Sequence, residues 1–237
     1  ANPPAFSIRV KSSIPLAAGM GSGAAVAVAM IRAVGGFLGK SLPLERVSAL
    51  AFEVEKLHHG TPSGIDNSVV SYEKPIYYQR GQPIQVLQVN KPFTVVIADT
   101  GIPSPTAQVV GDVRRAWSVQ PEYFEAWFAS IGEISHTARR LIEAGEPQKL
   151  GPLMDENHAI LQNIGVSSPE LDRLVAAARK AGALGAKLSG GGRGGNMIAL
   201  VSPELGQVVA QALLDHGAVQ AIQTEIREAQ EGEHDSF

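Results

Sequence analysis

Apolar and polar residues alternate over Phe6–Val10, the period of a half-buried strand. A turn of small residues follows. From Ala24 to about Leu38 the chain is apolar nearly all round, which predicts a helix buried on most sides. A second helix fits Leu44–His59, where Val47, Leu50, Ala51, Val54 and Leu57 keep helical spacing and Gly60 provides a stop. Past a loop at Thr61–Asn67, strand-like segments fall at Val69–Tyr72, Ile76–Tyr78 and Ile84–Val89, with turns at Pro75 and Gly81. Phe93–Ala98 is a continuous β-branched run and predicts a fully buried strand.

From Pro105 to Lys180 the pattern is mainly helical: Thr106–Trp117, Glu122–Ala144, Pro147–Ile164 and Pro169–Ala181. Strand Ala186–Ser189, a glycine loop, strand Met197–Val201, helix Pro203–His216 and a strand near Ala218–Thr224 complete the order, and the acidic end Glu225–Phe237 is expected to be loose. Composition shifts near Asn90–Pro92, which divides the chain into domains 1–91 and 92–237. The last third suits an α+β sandwich with helices covering one face of an antiparallel sheet.

The composition narrows the chemistry. A net charge of -3 over 237 residues gives no basic field for nucleic acid. No apolar run is long enough to cross a bilayer, so no membrane role is expected. The absence of cysteine excludes disulfides, thiolate ligands and a Cys nucleophile; a reducing cytoplasm is the simplest home. The chain starts Ala1-Asn2-Pro3-Pro4 without Met, so its beginning cannot be used to exclude a leader.

Three segments stand out. Pro15–Ala25 (Pro-Leu-Ala-Ala-Gly-Met-Gly-Ser-Gly-Ala-Ala) lies between the first strand and the first helix. Small residues let a ligand approach the backbone, and a helix start offers unpaired N–H groups and positive dipole, which suits a di- or triphosphate. A tight packing turn reads equally well. Glu55 and Asp66 place a helical carboxylate, at the margin of the apolar face, shortly before a loop carboxylate. Phosphoryl transfer to an alcohol needs one carboxylate on Mg²⁺ and one on the attacking hydroxyl; a solvated glutamate and a loop-capping aspartate are the plainer alternative. His58 and His59 read as helix-end residues. Lys187–Asn196 (Lys-Leu-Ser-Gly-Gly-Gly-Arg-Gly-Gly-Asn) makes a costly hairpin, so its loop is expected to bring amides to a ligand, with Arg193 as a clamp for phosphate or carboxylate.

Together these segments resemble the GHMP kinases. The first is similar to their Pro-x-x-x-Gly-Leu-Gly-Ser-Ser-Ala motif and the third to their Gly-Ala-Gly-Gly-Gly-Gly loop. His59–Asn67 (His-Gly-Thr-Pro-Ser-Gly-Ile-Asp-Asn) and the stretch from Asn157-His158 to Ser167-Ser168 resemble the branch of the family that acts on mevalonate. The resemblance runs from about Ser7 to Thr224. It implies an α+β fold of two domains: an N-terminal nucleotide domain like the second domain of ribosomal protein S5, and a ferredoxin-like C-terminal domain. It also implies ATP-dependent phosphorylation of the 5-hydroxyl of mevalonate in isoprenoid synthesis, with ATP and Mg²⁺ as cofactors, a cytoplasmic location and room for a homodimer. By position, Asp66 would orient the hydroxyl and accept its proton, and Glu55 with Ser22 would hold Mg²⁺. Ala17, Ala18, Gly19, Met20, Gly21, Ser22 and Gly23 would wrap the triphosphate, with Ser12 near the nucleotide. Thr100 would face the active site, and Gly190, Gly191, Gly192 and Arg193 would close over substrate and phosphates.

The sequence departs from that pattern at three places. Gly23 stands where the family usually has a second Ser, and Arg193 where it has Gly. A family segment rich in Pro-Gly-Lys/Arg and Gly-Glu-His, expected upstream of the phosphate loop, has no room here. The nucleotide domain is therefore expected to be truncated at its start, and turnover to belong to the parent protein rather than to these residues alone. The alternatives are a kinase for another mevalonate-type alcohol (the 3-hydroxyl, or phosphomevalonate) and a catalytically silent binding protein of the same fold. A dinucleotide oxidoreductase fits Gly19-x-Gly21-x-Gly23 but lacks an acidic ribose partner near Lys40–Leu42.

Overall fold

The computed structural model describes residues 5–12, 21–59 and 62–228. The chain divides into two compact units, Ala1–Val86 and Leu87–Phe237.

In the first unit, helices α1 (Ser22–Phe37), α2 (Leu44–His59) and α3 (Ile65–Tyr72) pack together, and strands β1 (Ile76–Tyr77) and β2 (Gln85–Val86) form a short antiparallel pair. Ala27 and Val28 of α1 meet Val47 and Ala51 of α2, and Ile31, Leu42, Val54 and Val70 surround them. Small residues on both helices bring their axes close. The helix limits expected for Leu44–His59 are met, but three other expectations are not.

Phe6–Val10 is not a strand: it has no regular structure, and Phe6, Ile8 and Val10 are exposed. A ladder needs a neighbour, and the two strands described in this unit pair with each other. The helix α1 is buried on one side only, through Ala24, Ala27, Val28 and Gly35, while Met30 and Phe37 are exposed. Val69–Tyr72 is helical rather than extended. Gly64 takes the left-handed conformation (φ 90) that starts α3, and the Ser68 hydroxyl bonds back to Gly64 O at 2.5 Å. The buried positions of α3 are Asn67, Ser68 and Ser71, so its helical period is carried by polar residues and is hidden from a hydrophobic pattern.

The second unit holds one antiparallel sheet in the order β4-β5-β3-β6, built from β3 (Phe93–Asp99), β4 (Gly185–Ser189), β5 (Asn196–Val201) and β6 (Gln220–Ile226). Its helices are α4 (Thr106–Val119), α5 (Pro121–Glu143), α6 (Leu150–Ile164), α7 (Pro169–Lys180) and α8 (Gly206–Asp215). Two helices shorten relative to the expected limits because their starts at Pro147 and Pro203 are separate 3-10 turns. Ser168 caps α7, accepting from the Leu171 amide, with Pro169 in the first turn.

Val96, Ala98, Leu188 and Met197 line one sheet face and pack with Leu171 and Leu174 of α7 and with Val209 and Leu213 of α8. Alternation sends Val95 and Leu200 to the opposite face, where they meet Leu150 with Leu141, Ile142 and Met154 around them. Helices therefore reach both faces, not the single face expected.

Candidate functional site

In the first unit the chemistry gathers at the start of α1. Gly21 precedes the helix in the left-handed conformation (φ 68), which glycine adopts without penalty, and no side chain caps the helix among the described residues. The first-turn amides of Ser22, Gly23 and Ala24 have no acceptor within the helix itself. No acidic residue lies in that turn, so the positive end of the dipole is not neutralised from within α1.

Two carboxylates approach this helix start from other elements. A Cβ built on Gly21 would lie 3.7 Å from Asp66 Cβ and 3.8 Å from Asp66 Cγ. A Cβ built on Gly23 would lie 3.3 Å from Glu55 Oε1. Asp66 is not a loop residue as expected: it sits in the first turn of α3 and is exposed. Glu55 is not at a helix margin either. It is only 8 % exposed and continues the stripe Val47, Ser48, Ala51 along α2. Leu57, placed on the apolar face by its spacing, is 84 % exposed.

Asp66 is held by its neighbour. Buried Asn67 donates from Nδ2 to Ser48 O (3.1 Å) and Ser48 Oγ (3.0 Å), and so locks α3 to the helix that carries Glu55. Asn67 ends the His59–Asn67 motif but has no role assigned from the sequence, and Ser48 carries no sequence signal. Ser22 is the first residue of α1 and partly buried; Ser12 is exposed. Ala17, Ala18, Gly19 and Met20 lie outside the described residues. Among the described residues no cluster of three or more His, Asp or Glu side chains forms a metal cage.

In the second unit the loop Gly190–Gly195 joins β4 to β5, and it is braced rather than loose. Gly195 O accepts from the Thr100 amide (3.0 Å) and the Thr100 hydroxyl (2.8 Å), and the Gly195 amide donates to Ile102 O (2.7 Å). Ser104 Oγ donates to Gly192 O (2.7 Å), and the Arg193 amide to Val166 O (2.9 Å). Thr100 is buried, and its hydroxyl serves the loop. The guanidinium of Arg193 meets Asp112 and Gly165 O. Gly192 has φ 81, and a Cβ there would come within 2.0 Å of Val166 O.

Two titratable groups border this loop. Lys187 is partly buried on β4; its Nζ donates to Leu188 O (2.7 Å), and burial pulls its ammonium down to about 8. It makes no ion pair among the described residues. His158 of α6 is buried, and its Nδ1 accepts from the Leu188 amide at 3.3 Å. Its Nε2 lies 3.2 Å from Asp172 Oδ1 but outside hydrogen-bonding geometry. Burial is the largest influence on this imidazole and lowers its pKa, against the opposing pull of Asp172. Among the described residues no helix is long and apolar enough to cross a membrane.

The family descriptions "GHMP kinases N terminal domain" and "GHMP kinases C terminal" match residues 1–74 and 138–219. The mevalonate kinase of Thermococcus gammatolerans is 39% identical over 228 residues, covering 93% of this chain and 66% of its own length. That of Pyrococcus horikoshii is 38% identical, covering 93% and 67%. The crystal structure of L. major mevalonate kinase in complex with R-mevalonate superposes with a TM-score of 0.82 at 34% identity, covering 88% of this chain and 66% of that one. The chain thus spans about two thirds of the length of the relatives it matches. With both family domains matched in order, and relatives more than a third identical along nearly all of it, the chain belongs to the GHMP kinase family.

Proposed function

We propose that the protein of which this chain is all or part transfers the γ-phosphoryl group of ATP to the 5-hydroxyl of mevalonate. The observation that carries this reading is the convergence of Asp66 and Glu55, from two different helices, on the uncapped start of α1. A phosphate suits the α1 amides, yet two carboxylates beside it repel phosphate unless a cation shares the site. Mg²⁺ fits this donor set: hard oxygen ligands, few of them from protein, the remainder from phosphate and water. Glu55 would hold it, with the Ser22 hydroxyl beside it. When bound, the ion neutralises charge developing on the phosphates.

Gly23 is consistent with that assignment. A Cβ on residue 23 would meet Glu55 Oε1 at 3.3 Å, so a buried carboxylate borders the position of the family's second serine. Asp66 accepts the proton of the acceptor hydroxyl as its oxygen forms the bond to Pγ and the bond from Pγ to the bridging oxygen breaks, releasing ADP. At the N-terminus of α3 this carboxylate is exposed and accessible to an acceptor hydroxyl. In the second unit, the amides of residues 193 and 195 are already engaged, so anion contacts fall to the amides of Gly190, Gly191, Gly192 and Gly194. Mevalonate as acceptor is supported by the relatives named mevalonate kinase and by the R-mevalonate complex of the L. major enzyme.

The test is product identification with ATP and mevalonate, using the full-length protein. Formation of 5-phosphomevalonate and ADP supports the assignment. Nucleotide binding without turnover, or phosphate on another hydroxyl, defeats it.

A further inference from the structure

Arg193 is the single non-glycine residue in Gly190–Gly195. Its backbone has φ 53, a left-handed conformation disfavoured for any residue with a Cβ. Something must hold it there, and the contacts of its side chain and backbone supply the answer. The Arg193 amide donates to Val166 O at 2.9 Å, and its Nε donates to Gly165 O at 3.1 Å. Its Nη1 forms an ion pair with Asp112 of α4. Asp112 in turn pairs with Arg115, three residues further along the same helix.

These contacts join three elements through one side chain: the glycine loop, the turn after α6 and the middle of α4. Nε and Nη1 are both spent on protein acceptors, and the guanidinium plane is fixed by them. From this we infer that Arg193 is a positioning residue that latches the glycine loop to Asp112 and to the Gly165 carbonyl, and that it is not a phosphate ligand. The consequence for chemistry rests on the proposed function, since it is the loop's remaining amides that would meet phosphate. The latch itself does not depend on that reading.

The experiment is a cycle of R193G, D112A and the double variant in the full-length protein, with two separate readouts. Hydrogen exchange of the amides at 190–195 reports the latch directly. Each single variant is expected to speed exchange about three- to tenfold, and the double variant no further, because either change opens the same contact. R193G also removes the left-handed arginine. Its global unfolding midpoint is expected to hold or rise while the loop loosens, a combination that general destabilisation would not produce.

The second readout is the KM for ATP against kcat. A latch predicts that R193G and D112A raise KM by a similar factor. A phosphate clamp predicts the reverse for D112A, which would free the guanidinium and leave KM unchanged or lower. Unchanged loop exchange in R193G or additive effects in the double variant would overturn the latch, and a D112A that binds ATP as well as the parent would overturn its consequence for phosphate binding. If the parent protein neither binds nor turns over ATP, the functional proposal fails, and the exchange cycle still decides the latch.

Discussion

Lys187→Met isolates a charge that the second unit carries at a disadvantage. The ammonium group lies on β4, partly buried, with Leu188 O as its acceptor and no carboxylate paired to it among the described residues. Burial disfavours the charged form and lowers its pKa from the ordinary 10.5 to about 8. The sign follows from proton binding. Below pH 8 the group is charged in both folded and unfolded chains, and its desolvation destabilises the fold. Between about 8 and 10.5 the folded chain has lost the proton and the unfolded chain retains it, so this contribution to stability rises with pH.

At about 1.4 kcal/mol per pKa unit the gap corresponds to at most roughly 3 kcal/mol. The residue keeps some exposure and its stem can carry Nζ outward, so about 1–2 kcal/mol is the working expectation. Methionine keeps the length of the side chain and removes the charge. Urea unfolding followed by tryptophan fluorescence reads this unit selectively, because both tryptophans, Trp117 and Trp127, lie on α4 and α5. At pH 7 the variant should be more stable than the parent by about 1–2 kcal/mol, and the difference should shrink toward zero by pH 10. A variant less stable than the parent at pH 7, or a difference that stays constant from pH 7 to 10, would refute the reasoning.

Asp66→Ala should lower kcat by about 10²–10⁴-fold while ATP binding by calorimetry stays close to the parent; retention of most turnover would remove the proton-accepting role. Glu55→Gln should raise the Mg²⁺ concentration needed for half-maximal activity, and an identical Mg²⁺ titration would leave Glu55 with a packing role only. His158 is favoured neutral by the fold, so its contribution is complete above the unfolded imidazole value near 6.5 and is lost as pH falls toward the lowered folded value. Tryptophan-detected stability should therefore decline with acid below about pH 6.5, and His158→Gln should flatten that decline. Asn67→Ala removes two buried hydrogen bonds to Ser48 and should destabilise the first unit by about 1–3 kcal/mol, measured by hydrogen exchange in α2 and α3.

Much of the second unit was legible because its elements follow simple periods. Phe93–Asp99 is a β-branched run at the centre of the sheet, and Pro169–Lys180 carries a serine cap, an acidic first turn and a basic last turn. The first unit was harder to read where polar residues do the packing. Asn67, Ser68 and Ser71 are the buried face of α3, and a search for apolar spacing sees only Val69, Val70 and Tyr72, which look like a strand. The same blindness misplaced Glu55: it lies on the stripe through Val47 and Ala51, but a carboxylate is not counted in an apolar stripe.

The glycine loop shows a different limit. Its composition says that the backbone must turn and come close to something, and much of what it comes close to is the protein. Thr100, Ile102, Ser104 and Val166 each take one or more of its hydrogen bonds, across separations of up to 95 residues. Such partners leave no local signal, because each is an ordinary residue in an ordinary turn. The departures from the family pattern do carry one. An arginine where the family has glycine has to be compensated at a positive φ, and a glycine where it has serine has to leave its space to another group. In this structure Asp112 and Gly165 compensate the first, and the Glu55 carboxylate lies beside the second. A mismatch with a family motif is therefore most informative when read as a demand on the surrounding structure rather than as a loss.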